Sequence, residues 1–596
     1  MERYIPTGNE TVSLPKINAV TAGIEDITFL YMQQKGMIEI RGDDLPLILP
    51  FVEIDGKALP LENLKWKRKH AWLPSMEAKA GGLDYSMVIL PPVGERGFAI
   101  KLSVTAPGQV TIAWGIHGCW DSSWHCVNEN KQLEGSAYCY ESNWNDGLIF
   151  DFRSGGPMFS FAPMSDKSCE ASHKKEDNRI YYRLSRNDTL SAGESKELIF
   201  YWGFGFEEVA AATSAKEMLR RGWDWEYKKT AAWLDARSSK MTTDKLTDIY
   251  NTNLFFCIFF STGITLDTEE LVCATSRSTR YYVSAAYWDR DVLLWAFPAI
   301  LDADKTLAED ILHYIFGRQR KNIGVHSRYI DGTVLEPGFE LDELLAPIIS
   351  LEAYISKTHD RGILADTDVK RGIEQILKVL GTVRHPEIPL YETFLQPTDD
   401  VIVHPYLVYN NVLVWKAFNI LAKLMPKQYG HLAESADAVK SAIYRHCVFT
   451  DKNGNPYFAW SVDLNGGCNV YDEPPGSLQL LPYYGFCKMD DPVWNNTVDI
   501  IRSPAYEYSF AGYPIAEIGC AHAPYPWVLS LCNSLLCGHA KQALRELESM
   551  EMDNGIACES VDPVTGVCTT GAAFATCAGF LCHSLMLAGK EDTYAN

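Results

Sequence analysis

Two glutamates far apart in the chain are the first candidates for chemistry. Glu392 lies in a stretch with few neutralising basic residues, and Glu559 follows Cys558. A carboxylic acid among aromatic and apolar groups has a raised pKa and can donate a proton at neutral pH. A second carboxylate across a sugar ring can activate a water molecule. Taken singly, each is more often a solvated loop residue. Together they predict hydrolysis of a glycosidic bond, with Glu392 as the general acid and Glu559 as the general base.

Other polar and aromatic residues are candidates for binding a sugar. An Arg beside an Asp, as in Arg290-Asp291, can hold two adjacent hydroxyls, and aromatic rings stack on sugar faces. A structural reading competes with this one, because an Asp can also cap a helix or sit favourably in its first turn. The predicted substrate-binding residues are Tyr287, Trp288, Arg290, Asp291, His326, Arg328, Glu340, Asp342, Trp460, His522 and Trp527.

The elements that must position these residues are helices in the second half of the chain. Their connections alternate between roughly eight residues or fewer and about twenty or more, and gaps of the second kind are unusual unless they are functional. If consecutive helices run up and down, every long gap lies at the same end, and six such hairpins in a ring form an (α/α)6 toroid. The predicted helices are 241–262, 291–300, 304–318, 341–358, 366–380, 408–424, 428–447, 476–486, 491–501, 523–537, 538–550 and 571–588.

The first part of the chain has the pattern of β-strands. Residues 98–104 alternate, residues 106–109 form a turn, and residues 110–116 continue, which predicts a hairpin. Many short strands with no helical pattern between them predict an antiparallel β-sandwich. The sequence therefore predicts a β-sandwich domain over 1–205, a helical linker over 206–240 and a catalytic (α/α)6 barrel over 241–596.

Composition excludes several partners. The net charge of −22 argues against nucleic acid and against an anionic membrane surface. The 16 cysteines form no CxxC pair, and no signal peptide is visible at the N-terminus, which predicts reduced thiols and a cytoplasmic location. Motifs for metal, phosphate-loop or dinucleotide binding are absent from the sequence, so neither a metal nor another cofactor is expected.

The motifs resemble those of clan-L glycoside hydrolases, the glucoamylase-like family 15 and the kojibiose or maltose phosphorylase-like family 65. Tyr287–Asp291 is similar to the segment that holds the terminal sugar in family 15, which implies that Arg290 and Asp291 bind its hydroxyls. Tyr391-Glu392, with Asn410-Asn411 at a later helix start, resembles family 65 and implies a general acid at Glu392. Cys558-Glu559-Ser560, followed by Thr570-Gly571, is placed like the general base of family 15.

Together these observations predict an inverting, exo-acting glycoside hydrolase that acts on a small saccharide, with an α-linked glucoside as the leading expectation. A glycoside phosphorylase remains an alternative, although a carboxylate at position 559 would repel phosphate. An exo-α-mannosidase or an α-rhamnosidase on the same barrel is also open. Outside enzymes, the alternative is an inactive carbohydrate-binding protein. The expected partner is a small saccharide, and the sequence leaves a homo-oligomer open.

Overall fold

The computed structural model describes residues 3–42, 45–153 and 156–594. The chain forms two compact units. The first comprises the chain to residue 238 with segments 259–272 and 276–285, and the second comprises 239–258, 273–275 and the chain from 286 onward. The three-part division at residues 205 and 240 stays a prediction.

The first unit is built from antiparallel strands, as predicted. Its strands are β1 Thr7–Gly8, β2 Ser13–Leu14, β3 Asp26–Tyr31, β4 Gly36–Arg41, β5 Leu49–Ile54, β6 Lys57–Ala58, β7 Glu62–Lys69, β8 Leu73–Ala80, β9 Leu83–Leu90, β10 Gly97–Thr105, β11 Val110–Trp120, β12 Ser122–Val127, β13 Glu129–Gln132, β14 Ser136–Ser142, β15 Gly147–Arg153, β16 Met158–Ser165, β17 Glu170–Glu176, β18 Arg179–Leu190 and β19 Ser195–Gly205. Among the described residues they form sheets of six, eight and five strands, in the orders β1-β2-β3-β4-β12-β13, β14-β15-β16-β19-β10-β9-β8-β7 and β17-β18-β11-β5-β6. Residues of all three sheets share one hydrophobic core.

The predicted hairpin over residues 98–116 is wrong in its pairing. Both strands form, as β10 and β11, but β10 pairs with β9 and β19, whereas β11 pairs with β5 and β18. The turn at 106–109 therefore carries the chain from one sheet to another. Local alternation fixes each strand, but the partner is decided by which apolar faces meet in the shared core.

Two helices follow the strands within the first unit: α1 Glu208–Arg221 and α2 Trp223–Asp235. Helix α1 packs on β19 and β16 through a face of small residues, among them Ala211 and Ala215. Gly203 of β19 makes this approach possible, because a Cβ there would lie 2.1 Å from the Ala211 carbonyl oxygen and 2.4 Å from the Ala215 nitrogen.

The second unit is helical. Its helices are α3 Asp244–Ser261, which begins in this unit, α4 Phe297–Ala303, α5 Lys305–Gly317, α6 Leu341–Thr358, α7 Thr367–Thr382, α8 Val408–Leu424, α9 Pro426–Tyr429, α10 Leu432–His446, α11 Pro492–Ile501, α12 Val528–Leu536, α13 Ala540–Ser549 and α14 Ala575–Tyr594. A π-helical segment, Arg290–Ala296, leads into α4, and 3-10 turns lie at Gln319–Asn322, Gly362–Ala365, Pro474–Gly476 and Leu478–Leu480. The predicted helix at 476–486 is wrong, since this stretch is short 3-10 turns with Pro474, Pro475 and Pro482 interrupting regular hydrogen bonding.

Six inner elements of the described chain form a closed ring of contacts. The π segment contacts α6, α6 contacts α8, the turn at Pro474–Gly476 contacts α12, α12 contacts α14, and α14 returns to the π segment. Tyr409 of α8 lies against Gly476 and completes the circuit. Outside this ring, α5 and α7 pack on α6, α10 on α8, α11 on Leu478–Leu480 and α13 on α12. This is the arrangement predicted from the alternation of short and long gaps.

Short strands occupy the remaining connections: β20 Thr262–Ile264, β21 Leu271–Cys273, β22 Val325–Arg328, β23 Val334–Phe339, β24 Tyr406–Leu407, β25 Val448–Thr450, β26 Pro456–Phe458, β27 Ser461–Val462, β28 Cys468–Asn469, β29 Ser560–Val561 and β30 Cys568–Thr570. No disulfide joins cysteines within the described ranges. Among the helices of those ranges, none has both the length and the apolar character that a bilayer crossing requires.

We expect Gly203→Ala to lower the free energy of unfolding of the first unit by about 1–3 kcal/mol, because the added methyl group overlaps the α1 backbone. Gly108→Ala is the matched control, since a Cβ at Gly108 meets nothing within 4 Å. Urea unfolding followed by circular dichroism measures both. Equal stabilities of the two variants would contradict the close packing of α1.

Candidate active site

The candidate site lies where the inner elements of the second unit begin. Arg290 is the first residue of the π segment, Glu340 immediately precedes α6, and Asp342 lies in the first turn of α6. The positive ends of these helical segments favour negative charge at this position. We call Arg290 and the carboxylates around it the acidic cluster: Asp291, Glu340, Asp342, Glu343 and Asp399.

Arg290 is the centre of the acidic cluster. Its Nη1 donates to Glu340 at 2.6 Å and to Asp342 at 3.2 Å, and its Nη2 donates to Asp399 at 2.7 Å. Burial works against its charge, but the surrounding carboxylates outweigh this and raise the Arg290 pKa well above its usual value. Glu343 accepts hydrogen bonds from the backbone N–H groups of Asp289 and Arg290, so the start of the π segment is held as well. One cation therefore fixes several carboxylates in place.

His326 and Trp288 lie beside the cluster. His326 Nδ1 is 2.9 Å from Glu340 and 3.7 Å from Asp399, and its Nε2 is 3.3 Å from Glu336. Trp288 packs edge-on against His326, and its buried indole N–H has no hydrogen-bond partner among the described residues. An indole N–H is a hydrogen-bond donor and can bind a hydroxyl group. The two residues therefore fit the predicted role in sugar binding.

Asp291 connects the cluster to the start of α14. Thr576 donates to its carboxylate at 3.0 Å, and burial raises its pKa to about 7, with the charge of Arg290 opposing this and that of Asp399 adding to it. The neighbouring Cys577 thiol has a pKa well above its usual value because of burial first, and then the charges of Cys532, Asp291 and Glu559. Cys577 therefore lies within electrostatic reach of both Asp291 and Glu559.

Glu559 is buried near the start of α14. Thr570 Oγ1 donates to its Oε1 at 2.7 Å, and its backbone is held between the Gly571 carbonyl and the Val528 N–H. Trp527, the residue before α12, forms an isolated bridge with Ser560. These contacts fix a single carboxylate beside the starts of α12 and α14, which suits the predicted general base.

Two carboxylates that were not among the predicted site residues complete the site. Asp399 has a φ of +69°, a strained backbone conformation for a residue with a side chain, and it binds Arg290. Asp400 is half exposed and lies 3.3 Å from His522 Nδ1, and Thr398 Oγ1 is 3.1 Å from it. His522 in turn packs edge-on near Trp527, so the turn at 396–400 is linked to the Glu559 segment. The sequence signal was the Asp-Asp doublet inside the third long gap.

Glu392 lies at the surface in the connection between α7 and α8. Its side chain is exposed, its carboxylate accepts from the Tyr406 hydroxyl at 2.8 Å, and its N–H bonds the Val383 carbonyl. The aromatic sequence around it does not bury it, because Tyr391 points into the core while Glu392 faces outward. The role of Glu392 as the general acid stays a prediction, and its exposed side chain lacks the burial on which that prediction rested.

Three of the predicted sugar ligands are completely buried and support the segments of the site. Tyr287 and Arg328 are completely buried and both bind Asp289. Trp460 is also completely buried, and its indole N–H donates to Gln396 at 3.3 Å. These side chains cannot stack on a sugar; instead they hold the segments that carry the acidic residues.

His326, Glu340 and Asp399 have the residue types and spacing to hold a metal ion. The same carboxylates are bound by the Arg290 guanidinium, which supplies the positive charge at that point. The absence of a metal requirement stays a prediction.

Comparison with known proteins shows which families the chain is similar to. A family model described as metal-independent alpha-mannosidase (GH125) matches residues 380–586. The meiotically up-regulated gene 157 protein of Schizosaccharomyces pombe is 25% identical over 236 residues, which cover 37% of this chain and 46% of that protein. The match thus spans just under half the length of that relative.

Solved structures share the fold. A bacterial glucoamylase complexed with acarbose has a TM-score of 0.62 and 14% identity, covering 100% of this chain and 95% of its own. A putative kojibiose phosphorylase from the human microbiome has a TM-score of 0.62 and 11% identity, covering 99% and 86%. A metal-independent alpha mannosidase of Streptococcus pneumoniae, in a non-productive complex with alpha-1,6-mannobiose, has a TM-score of 0.52 and 18% identity, covering 58% and 94%. These findings confirm the predicted resemblance to clan-L glycoside hydrolases and their (α/α)6 barrel fold.

We expect Asp291→Asn to change how stability depends on pH. The folded protein raises the Asp291 pKa from 3.8 to about 7, so folding favours the protonated form. Its contribution to stability is complete below about pH 4 and is lost as the pH rises to about 7, with a slope of up to about 1.4 kcal/mol for each pH unit. The stability of the variant relative to wild type should therefore increase between pH 4 and pH 7 in urea titrations. A difference that stays constant over this range would contradict the raised pKa.

Proposed function

We propose that this chain is an inverting, exo-acting glycoside hydrolase that removes a terminal α-linked mannose. The observation that carries the proposal is the link from Asp400 through His522 and Trp527 to the segment of Glu559. Both segments lie within residues 380–586, which match the metal-independent alpha-mannosidase family model. This match is the reason to favour a mannoside over the glucoside expected from the sequence.

Asp400 is the general acid in this proposal. Asp399 is held by Arg290, and a guanidinium hydrogen bond stabilises a carboxylate ion, so Asp399 is suited to accept hydrogen bonds from sugar hydroxyls. Asp400 is bound by Thr398 and faces His522, and half of its side chain is exposed to an incoming substrate. Asp400 therefore donates the proton to the glycosidic oxygen as the bond to the anomeric carbon breaks.

Glu559 is the general base. Thr570 orients its carboxylate, which removes a proton from a water molecule as that water attacks the anomeric carbon from the face opposite the leaving group. The released sugar then has the opposite anomeric configuration. For this geometry the two carboxyl groups are expected to stand about 6.5–9.5 Å apart, with the water between them.

The acidic cluster favours hydrolysis over phosphorolysis. Asp399, the partly exposed carboxylate of the cluster, can accept hydrogen bonds from the hydroxyls of an uncharged sugar, whereas a carboxylate repels an anion. The Arg290 guanidinium and the His326 ring are already bound by Glu340 and its neighbours. Phosphate would have to displace these carboxylates to reach the positive charge of Arg290.

The substrate and the stereochemistry can be tested together. We expect α-1,6-mannobiose and p-nitrophenyl α-mannoside to be hydrolysed, and ¹H NMR to detect β-mannose as the first product. Rates should be unchanged by added phosphate and by EDTA. First release of α-mannose would contradict inversion, and turnover of kojibiose or maltose only with phosphate would favour the phosphorylase alternative.

The assignment of the two catalytic carboxylates can be tested by amide substitution. We expect Asp400→Asn and Glu559→Gln each to lower kcat on α-1,6-mannobiose by about 10²–10⁴-fold, because each removes a proton-transfer group. Glu392→Gln is the matched control and should retain activity, since the Glu392 carboxylate binds the Tyr406 hydroxyl and faces outward. A loss in Glu392→Gln with full activity in Asp400→Asn would reverse the assignment.

A further inference from the structure

A third carboxylate, Glu473, is buried and contacts the turn that carries Asp400. Its Oε1 accepts from Gln396 Nε2 at 2.6 Å, from Thr398 Oγ1 at 2.8 Å and from the Tyr471 hydroxyl at 3.2 Å. The side chain is completely buried. Burial raises its pKa to about 8, hydrogen bonds from Thr398 and Tyr471 oppose this, and the charge of Asp400 adds to it. Glu473 therefore interacts electrostatically with Asp400 from a separate, buried position.

Glu473 also reaches the segment that faces Asp400 from the other side. The Tyr471 hydroxyl, which donates to Glu473, accepts from the backbone N–H of Ala521 at 2.9 Å. Ala521 precedes His522, the residue whose Nδ1 lies 3.3 Å from Asp400. The Cys520 thiol, one residue earlier, has its pKa raised by burial first and then by charges that include both Glu473 and Glu559. Glu473 is thus linked through Tyr471 and Ala521 to the segment whose His522 faces Asp400.

The Thr398 hydroxyl makes the link between Glu473 and Asp400 specific. Its oxygen is 2.8 Å from Glu473 Oε1 and 3.1 Å from Asp400 Oδ2. A hydroxyl has one hydrogen to donate and can accept from a second partner. The two distances show that one hydroxyl contacts both carboxyl groups, so the Thr398 side chain fixes the position of Asp400 relative to Glu473.

We propose that Glu473 is a positioning residue that fixes the 396–400 turn and the Thr398 hydroxyl, and thereby holds Asp400 as a proton donor. It makes no contact with the reacting atoms itself; it acts through Gln396, Thr398 and Tyr471. The inference rests on the proposed function, because it requires Asp400 to be the general acid. An acid displaced by about 1 Å from its reactive geometry can lose about 10²-fold in rate, so a buried group at this point has a large effect.

The test compares two substrates that differ in their need for an acid. α-1,6-Mannobiose has a poor leaving group and requires protonation, whereas α-mannosyl fluoride has a small activated leaving group that needs little. We expect Glu473→Ala to lower kcat on mannobiose by about 10- to 100-fold with KM nearly unchanged, and to lower kcat on the fluoride by less than about 3-fold. Glu473→Gln keeps an oxygen acceptor for Gln396 and Thr398 and should recover part of the loss.

Asp472→Asn is the matched control. Asp472 is the adjacent residue, is equally buried, and burial raises its pKa to about 7, but it binds Ser477 and Leu478 instead of the 396–400 turn. In Asp472→Asn, the ratio of kcat on α-1,6-mannobiose to kcat on α-mannosyl fluoride should be the same as in wild type. Thr398→Val provides a second route that removes the hydroxyl while keeping the shape of the side chain, so the test remains available if Glu473→Ala does not fold.

The outcomes distinguish the role of Glu473 from the assignment of Asp400 as the general acid. Equal losses on both substrates in Glu473→Ala and Thr398→Val, while Asp400→Asn affects mannobiose selectively, would overturn the role of Glu473 and leave the proposed function intact. An Asp400→Asn variant that does not discriminate between the substrates would overturn the acid assignment and the inference with it. Selective losses in Glu473, Thr398 and Asp400 variants alike would support the proposal.

Discussion

The site depends on one interaction, the guanidinium of Arg290 held among buried carboxylates. An arginine with five donors can satisfy Glu340, Asp342 and Asp399 at once, and these come from two separate connections of the barrel. Several carboxylates buried together would repel one another strongly without a cation between them. The charge of Arg290 therefore allows the barrel to hold several hydrogen-bond acceptors close together at the starts of its inner elements. The strained backbone of Asp399 is tolerated for the same reason, since its side chain is fixed by that contact.

Some of the residues that were expected to bind sugar are buried and support the segments of the site instead. Tyr287, Arg328 and Trp460 are the aromatic and cationic types expected at a sugar site, yet all three are sealed behind it. They satisfy buried polar groups on the segments that carry the acidic residues, and such groups are costly if left unpaired. Asp289, for example, accepts hydrogen bonds from both Tyr287 and Arg328 just before the π segment that begins with Arg290. Glu473 extends the same principle to the turn of Asp400.

The contrast between Glu392 and Asp400 follows from how the third long connection folds. Both residues lie between α7 and α8, and both are acidic residues in a partly apolar stretch. Leu395 and Val401 form an isolated bridge that closes the chain into a narrow turn, with Asp399 and Asp400 at its end. Glu392 lies before this turn, where Tyr406 binds it at the surface. The position of the turn, and not the local composition, therefore separates the two carboxylates.

The sequence by itself determined the architecture and much of the acidic cluster. Its alternating gap lengths place Arg290, Asp291, Glu340, Asp342 and Glu559 at one end of a ring of helices, because connections between antiparallel helices alternate in position. It also determined the strands β10 and β11, whose alternation is local, but not their partners, which depend on the shared core. Only the tertiary structure decided the surroundings of the other acidic residues. Asp399 pairs with Arg290, Glu392 is exposed and Glu473 is buried. These depend on contacts between segments far apart in the chain, and the free energy of such contacts is set by burial and by partners that no local pattern encodes.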